Sequence, residues 1–280
     1  MNDCLGNLPR IAIVVPTLGN RIKYLEECIK SIKASQATYL VVISPHRLYL
    51  DPELTQLVDE FLLEEGRGLA AAINQAALAL PPTIKYFNWL GDDDLLTPNS
   101  LEITMSTFHE NPSASGIFGM CEYVNSEGSR LGLNSSGVWA KLLIRFGPDL
   151  IPQPGALLSL AAFKQIGGLR TEFKLAFDVD MFIQLQKFGP LIYVPEILGK
   201  FRWHDDSLTV KTRLISVIEA SKIRRQHLPK FARAFSMLWE FPVMVLTYFA
   251  GWLIHMRNRS LQLRFVNLWA QTGSNRRPTD

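Results

Sequence analysis

Phe87-Asn88-Trp89-Leu90-Gly91-Asp92-Asp93-Asp94 is an apolar run that ends in three adjacent carboxylates. The apolar part reads as a buried strand, and three aspartates at its end have no role in packing. Their mutual repulsion calls for a cation. Side chains alternate along an extended chain, so Asp92 and Asp94 can point the same way and offer hard oxygen ligands to Mg²⁺ or Mn²⁺. A second reading stands beside it: Asp is common ahead of helices, and the run precedes a helix expected near Thr97-Pro98-Asn99, whose positive end it would cap. In both readings the carboxylates, Asp94 included, are expected on an exposed loop.

The segments on either side set this strand in an alternating series. Arg10-Ile11-Ala12-Ile13-Val14-Val15-Pro16 reads as a buried parallel strand, followed by a turn at Thr17-Leu18-Gly19-Asn20 and a helix with Ile22, Leu25, Ile29 and Ile32 on one face, capped by Asn20. Tyr39 to Ile43 is a second strand, Pro52 to Asp59 a helical stretch, Phe61 to Leu63 a short third strand, Gly68 to Leu80 an Ala-rich helix and Ile84 to Leu90 a fourth strand. The alternation predicts an α/β fold with a mostly parallel sheet, and the aspartates fall at the carboxyl end of a strand, where such sheets bind ligands. Gly66-Arg67-Gly68-Leu69-Ala70-Ala71 fits a dinucleotide fingerprint but follows a third strand and an acidic pair, so it reads as a turn and helix start. There is no phosphate-binding G-x-x-x-x-G-K-[ST] loop.

A chain of 280 residues with 48% hydrophobic content can bury a sizeable core, which excludes a disordered protein. Cys4, Cys28 and Cys121 form neither a disulfide framework nor a zinc pattern, which suits a reducing compartment. The N-terminus lacks the basic and apolar regions of a signal peptide, so the cytoplasm is the expected location. A net charge of +3 is too mild to argue for nucleic acid as a partner. The positive charge gathers in the tail, where Lys222, Arg224, Arg225, Lys230, Arg233 and Arg257 meet few acids. There Val243 to Met256 is apolar but shorter than the ~20 residues a spanning helix needs. An interfacial helix on anionic lipid, at the inner face of the membrane, is the expectation, with packing on the domain or on a second copy as the other reading. Nothing in the sequence reports the oligomeric state.

Three early motifs and three later ones occur in one order. Val15-Pro16-Thr17, Gly68-Leu69-Ala70-Ala71-Ala72-Ile73-Asn74 and Trp89-Leu90-Gly91-Asp92-Asp93-Asp94 resemble the nucleotide-sugar half of the family 2 glycosyltransferases. Ile166-Gly167-Gly168-Leu169, Ala176-Phe177-Asp178-Val179-Asp180-Met181-Phe182-Ile183 and Phe201-Arg202-Trp203-His204-Asp205-Asp206-Ser207 resemble its second half. The resemblance implies a GT-A fold over 1–208, with 209–280 as a C-terminal helical extension, and inverting sugar transfer from a nucleotide-sugar donor to a hydroxyl of a glycan or lipid-linked precursor. It further implies that Asp92, Asp94 and His204 hold Mn²⁺ or Mg²⁺, and that Pro16, Thr17, Arg21, Asn74, Asp92, Asp93 and Arg202 bind the nucleotide sugar.

In the same resemblance Asp178 is the catalytic base. Read from spacing alone, Asp178 is also a helix N-terminal charge, and Asp180 a cap or dipole partner. Arg202 could grip phosphate or stabilise a loop, and Trp89 and Trp203 could stack on a ligand or fill the core. The chain departs from the family where Ser44-Pro45-His46-Arg47 replaces an acidic base-reading residue, at Phe177 for Glu, and at Gln184 for Arg. Two other readings stand: a sugar-phosphate nucleotidyltransferase, and an inactive carbohydrate-binding or scaffold protein of the same fold.

Overall fold

The computed structural model describes residues 10–34, 38–147, 150–204 and 212–273, so Cys4 and the Asp205-Asp206-Ser207 end of the last motif lie outside the described residues. Strands β1 (Ile11–Pro16), β2 (Tyr39–Ser44), β3 (Glu60–Leu63) and β4 (Tyr86–Trp89) pair in parallel in the order β3-β2-β1-β4. The crossovers are α1 (Ile22–Lys33), α2 (Pro52–Gln56) and α3 (Leu69–Ala79). In β1, Ala12 and Val14 enter one buried cluster, and Ile11, Ile13 and Val15 enter the other. A strand covered on both faces must be apolar throughout, which is why Ile11 to Val15 does not alternate.

Beyond β4 the sheet becomes mixed. The sheet continues through β8 (Leu157–Ser159), β6 (Gly116–Val124), β9 (Leu191–Arg202) and β5 (Leu95–Leu96), while β7 (Arg130–Asn134) pairs with β6. β8 is antiparallel to both β4 and β6, and β9 is parallel to β6 through a shifted register. The long β9 returns the chain to the end of β4, because Leu95 and Leu96 pair with Lys200 and Gly199. Helices α4 (Ser100–Glu110), α5 (Trp139–Leu143), α6 (Leu160–Gln165) and α7 (Phe177–Leu185) complete this part. The fold is mixed α/β, with a parallel first half as the alternation predicts.

Several local expectations are corrected. Arg21, not Asn20, stands at the N-cap of α1, and no side chain caps it. The aspartates do not cap α4, because β5 intervenes and the helix starts after Asn99, itself in the left-handed region at φ 62°. At the other end, α8 (Arg213–His227), α9 (Lys230–Phe235) and α10 (Met237–Gly273) follow. α10 runs unbroken through Pro242. Its apolar stretch is Met237–Asn258, 22 residues, longer than expected. Glu240 does not interrupt it because its carboxylate is buried and paired with Arg225 of α8.

Candidate active site

The end of β4 is built by a turn. Leu90 donates to the Val14 carbonyl at 2.8 Å, and the Asp94 N–H closes on Gly91 O at 3.0 Å. A Cβ at Gly91 would meet Asp93 Oδ1 at 2.9 Å and Asp94 Oδ2 at 3.1 Å, so only glycine lets these carboxylates fold back over the turn. Because the segment turns, the three side chains diverge to three sets of partners. Asp92 accepts from Thr17 Oγ1 at 2.5 Å and from Arg21 Nη2. Asp93 Oδ2 accepts from Arg21 Nη1 at 2.7 Å and lies 2.8 Å from His204 Nε2. Asp94 Oδ1 accepts the Arg202 N–H at 3.0 Å.

Asp92 and Asp94 are only 2% and 5% exposed, which overturns the expectation of an exposed Asp94. Burial is the first cause of the raised carboxyl pKa values of both, and for Asp94 the neighbouring Asp93 charge adds to it. Asp93 is held below the usual carboxylate range, because His204 and Arg21 outweigh its burial.

The residues around the turn divide into those that face it and those that brace it. Pro16 ends β1 in register with Ile43, and the Thr17 N–H donates to Ile43 O at 2.9 Å. Thr17 thus aims its hydroxyl at Asp92 while accepting from the Gly19 N–H at 3.0 Å. Arg21 lies across the cluster, 3.3 Å from His204 Nε2. His204 joins Asp93 from far along the chain because β9 delivers it there, and its ring lies 5.5 Å from that of Tyr24.

Arg202 has its donors committed inward: Nε to Asp93 O at 3.0 Å, Nη1 to Ser126 O at 2.9 Å and Nη2 to Glu27 at 2.5 Å. Its guanidinium also stacks over Tyr24 at 4.3 Å. These bonds tie the Asp93 backbone to Ser126 and Glu27, the loop-stabilising arrangement. Asn74 is equally occupied, accepting from the Leu169 N–H at 2.8 Å and donating to Leu169 O at 2.7 Å. It clamps the turn of Gly167 and Gly168, both in the left-handed region. Trp89 and Trp203 are buried, and Trp89 packs 6.0 Å from Phe177.

Asp178 lies in the first turn of α7, half-buried, with Oδ1 accepting the Val179 N–H at 2.9 Å. Burial first, then the Glu219 charge, raise its carboxyl pKa to about 6, against the pull of the Val179 N–H. Asp180 is neither a cap nor a dipole partner alone. It is buried and accepts from Arg170 through Nε at 2.9 Å and Nη2 at 2.5 Å, from Gln184 at 2.6 Å, and lies 2.7 Å from His227 Nε2.

Sequence reasoning missed Glu219, whose carboxylate accepts the N–H groups of Lys174, Leu175 and Ala176 just ahead of α7. It also missed Glu27 and Tyr24, the supports of Arg202, and Gln153, which bonds Asn88 at 3.0 Å and Trp89 O at 2.6 Å. The one signal for Glu219 was its standing as one of few acids in a basic stretch.

Three carboxylates and an imidazole are the donor types a hard divalent cation takes. Among the described residues no three such groups converge on a metal position as the side chains stand. The Arg21 guanidinium, set between Asp92 and Asp93, supplies the positive charge the cluster needs. The residues fit a cation in kind, with Arg21 standing in for its charge.

No family model matches the chain. Curated relatives do. The chain is 22% identical over 217 residues to a chondroitin synthase of Escherichia coli, covering 74% of this chain and 31% of that protein. It is 22% identical to an uncharacterized glycosyltransferase of Rickettsia felis, covering 71% of this chain and 35% of that protein. With the motifs in order on a GT-A sheet, these relatives point the same way. The chain is similar to family 2 glycosyltransferases.

The chain also resembles the hyaluronan synthase of Pasteurella multocida, at 20% identity over 74% of this chain and 22% of that protein. It spans about a third or less of the length of these relatives. Among solved structures, S. aureus TarS 1-349 superposes with a TM-score of 0.56 at 13% identity, over 81% of this chain and 68% of that one. The mannosyltransferase PcManGT from Pyrobaculum calidifontis, solved with GDP-Man and Mn2+, superposes with a TM-score of 0.57 at 14% identity, over 95% and 82%.

Proposed function

We propose that the protein transfers a sugar from a nucleoside-diphosphate donor to a hydroxyl of a glycan or of a lipid-linked glycan precursor, with inversion at the anomeric carbon. The observation that carries this reading is the cluster of Thr17, Arg21, Asp92, Asp93 and His204 at the carboxyl ends of β1 and β4, where α/β sheets bind nucleotides. The relatives' sugar-polymerising names and the sugar nucleotides in the neighbouring structures support the donor class.

In the reaction the acceptor oxygen forms a bond to the anomeric carbon, the bond to the diphosphate oxygen breaks with its electron pair, and the acceptor proton leaves. Asp178 takes that proton. A carboxyl held near 6 is better matched to proton abstraction at neutral pH than one at the ordinary value, and it is still ionised there. Asp92, Asp94 and His204 would hold Mn²⁺ or Mg²⁺, which when bound would stabilise negative charge on the leaving diphosphate. Arg21 leaves its carboxylate partners and turns to the phosphates, a change its flexible side chain allows. Thr17 fixes the Asp92 carboxylate, and Arg202 holds the Asp93 and Asp94 backbone in place.

The test is a thermal-shift screen of nucleoside diphosphates with and without Mn²⁺, since a ligand bound by the native state raises its melting temperature. Sugar transfer with the best donor, and the configuration of its product by NMR, would follow. A rise with a nucleoside diphosphate, transfer, and an inverted product are expected. Binding without any transfer or donor hydrolysis would favour an inactive binding protein. Loss of response to every nucleotide would overturn the reading.

A further inference from the structure

Helices α8 to α10 turn many large apolar side chains outward, while α8 also sends Val217, Ala220 and Ile223 into the protein. In α10, Leu238, Phe241, Val245, Phe249, Trp252 and Met256 recur at three- and four-residue spacing on one exposed face, with Leu238 77% and Phe241 69% exposed. The opposite, less exposed face mixes Val243, Met244 and Ile254 with Glu240, Thr247, Gly251, His255 and Asn258, of which Glu240 and Asn258 are buried. A helix on the surface of a protein in water has the reverse arrangement. The same bias extends to Ile215 and Ile218 of α8 and Phe231 and Phe235 of α9, all exposed. More than half of the exposed large apolar side chains described lie between Leu214 and Met256. A contiguous surface of this kind marks an interaction site.

The charges identify the partner. The only acids in this stretch are Glu219 and Glu240, and both are turned inward, Glu219 onto the backbone ahead of α7 and Glu240 onto Arg225. The exposed charges that remain, Lys222, Lys230, Arg233 and Arg257 among them, are positive. An apolar face whose exposed charges are positive complements an anionic lipid surface, and in a groove between α8 and α10 Lys222 stands beside Ile218, Phe241 and Met244, next to the paired Arg225 and Glu240. The apolar stretch of α10 is long enough to cross a bilayer, yet Glu240 near its start and Asn258 at its end are buried and the helix packs on α8 and β7. Those contacts favour a helix lying along the domain over one standing clear of it.

We propose that the outer face of α8–α10 docks in the plane of an anionic lipid leaflet, as a monotopic surface and not as a span. Flotation of the full chain with vesicles of phosphatidylglycerol in phosphatidylcholine, and with phosphatidylcholine alone, tests it, followed by carbonate extraction. Binding is expected with the anionic vesicles, weak with the neutral ones, and released by carbonate. The double substitution Phe241→Glu and Leu246→Glu, at exposed positions, should lower partitioning by ~10-fold or more with the melting temperature unchanged. Resistance to carbonate would mean a span and overturn the proposal, as would equal binding to neutral vesicles. A full chain that does not float also overturns it, and a sedimentation-velocity dimer that the double variant dissociates would assign the face to a second copy instead. None of these readouts involves sugar transfer, so a negative result leaves that reading untouched.

Discussion

Asp178 is the residue at which stability and catalysis make opposite demands. Its folded pKa of about 6 lies above the ordinary carboxylate value, so between about pH 4 and 6 the folded protein holds a proton that the unfolded chain has lost. Stability from this group therefore falls as pH rises through that window, and the full cost, up to ~2–3 kcal/mol, is present above it. Asp178→Asn keeps the acceptor for the Val179 N–H and removes the charge. The variant should melt several degrees above the parent near pH 7, match it near pH 4, and lose transfer by ~10²-fold or more with donor binding retained. Melting curves at the two pH values and a transfer assay on one preparation check this; near-normal transfer would remove Asp178 as the base. At Asp94 the buried carboxylate accepts the Arg202 N–H, so Asp94→Ala should cost ~1–3 kcal/mol as well as nucleotide binding, while Asp94→Asn keeps most of the stability. Calorimetry with a nucleoside diphosphate and Mn²⁺, beside a denaturant melt, separates the two losses. That both residues are acids within recognisable motifs was legible in the sequence. Their surroundings were not, because Arg202 meets Asp94 and Glu219 meets Asp178 from other elements.

α7 is held to its neighbours through polar contacts as well as apolar ones. Asp180 gathers Arg170, Gln184 and His227, and Glu219 of α8 receives the three N–H groups that lead into α7. The Asp180 carboxyl lies below its ordinary value, since His227 and Arg170 outweigh the burial that would raise it. Its stabilising contribution is thus present above the unfolded carboxylate pKa and is lost as pH falls through the lower folded value. Asp180→Ala leaves Arg170 and His227 without their shared acceptor and should destabilise by ~3–5 kcal/mol near pH 7, with a smaller difference in acid. A urea titration of parent and variant at the two pH values measures this, and a loss independent of pH would point to packing alone. At this scale the sequence predicted β1, α1, β2, α3 and β4 well, since strands buried on both faces and amphipathic helices carry their pattern locally. It did not predict β5, two residues long, or the ladder of β6 with β9, because short strands and shifted registers are fixed by partners far along the chain. The cap of α1 failed for a related reason: Arg21 takes that position while its side chain is drawn to Asp92 and Asp93.

For the whole molecule, among the residues whose burial is described, the two buried clusters draw nothing from α10; their last described member along the chain is Ile223 of α8. Deletion from Val243 onward removes most of α10 and keeps Glu240 on Arg225. The shortened protein should retain nucleotide binding and melt within a few degrees of the full chain, because none of the described residues it loses belongs to the two clusters. Thermal shift with and without a nucleoside diphosphate tests this, and a loss of cooperative melting would make α10 part of the folding unit. The sequence by itself determined that the first half is a parallel α/β unit, that three carboxylates stand at a strand end, and that the tail is apolar and basic, since each of these is written in residue type and short-range spacing. Only the tertiary structure decided that Arg21 and His204 meet at Asp93, that Arg202 and Asn74 serve as braces, and that the tail turns its acids inward and its apolar face outward. Those outcomes depend on which side chains share a small volume after long loops close, and no local pattern in the chain encodes that.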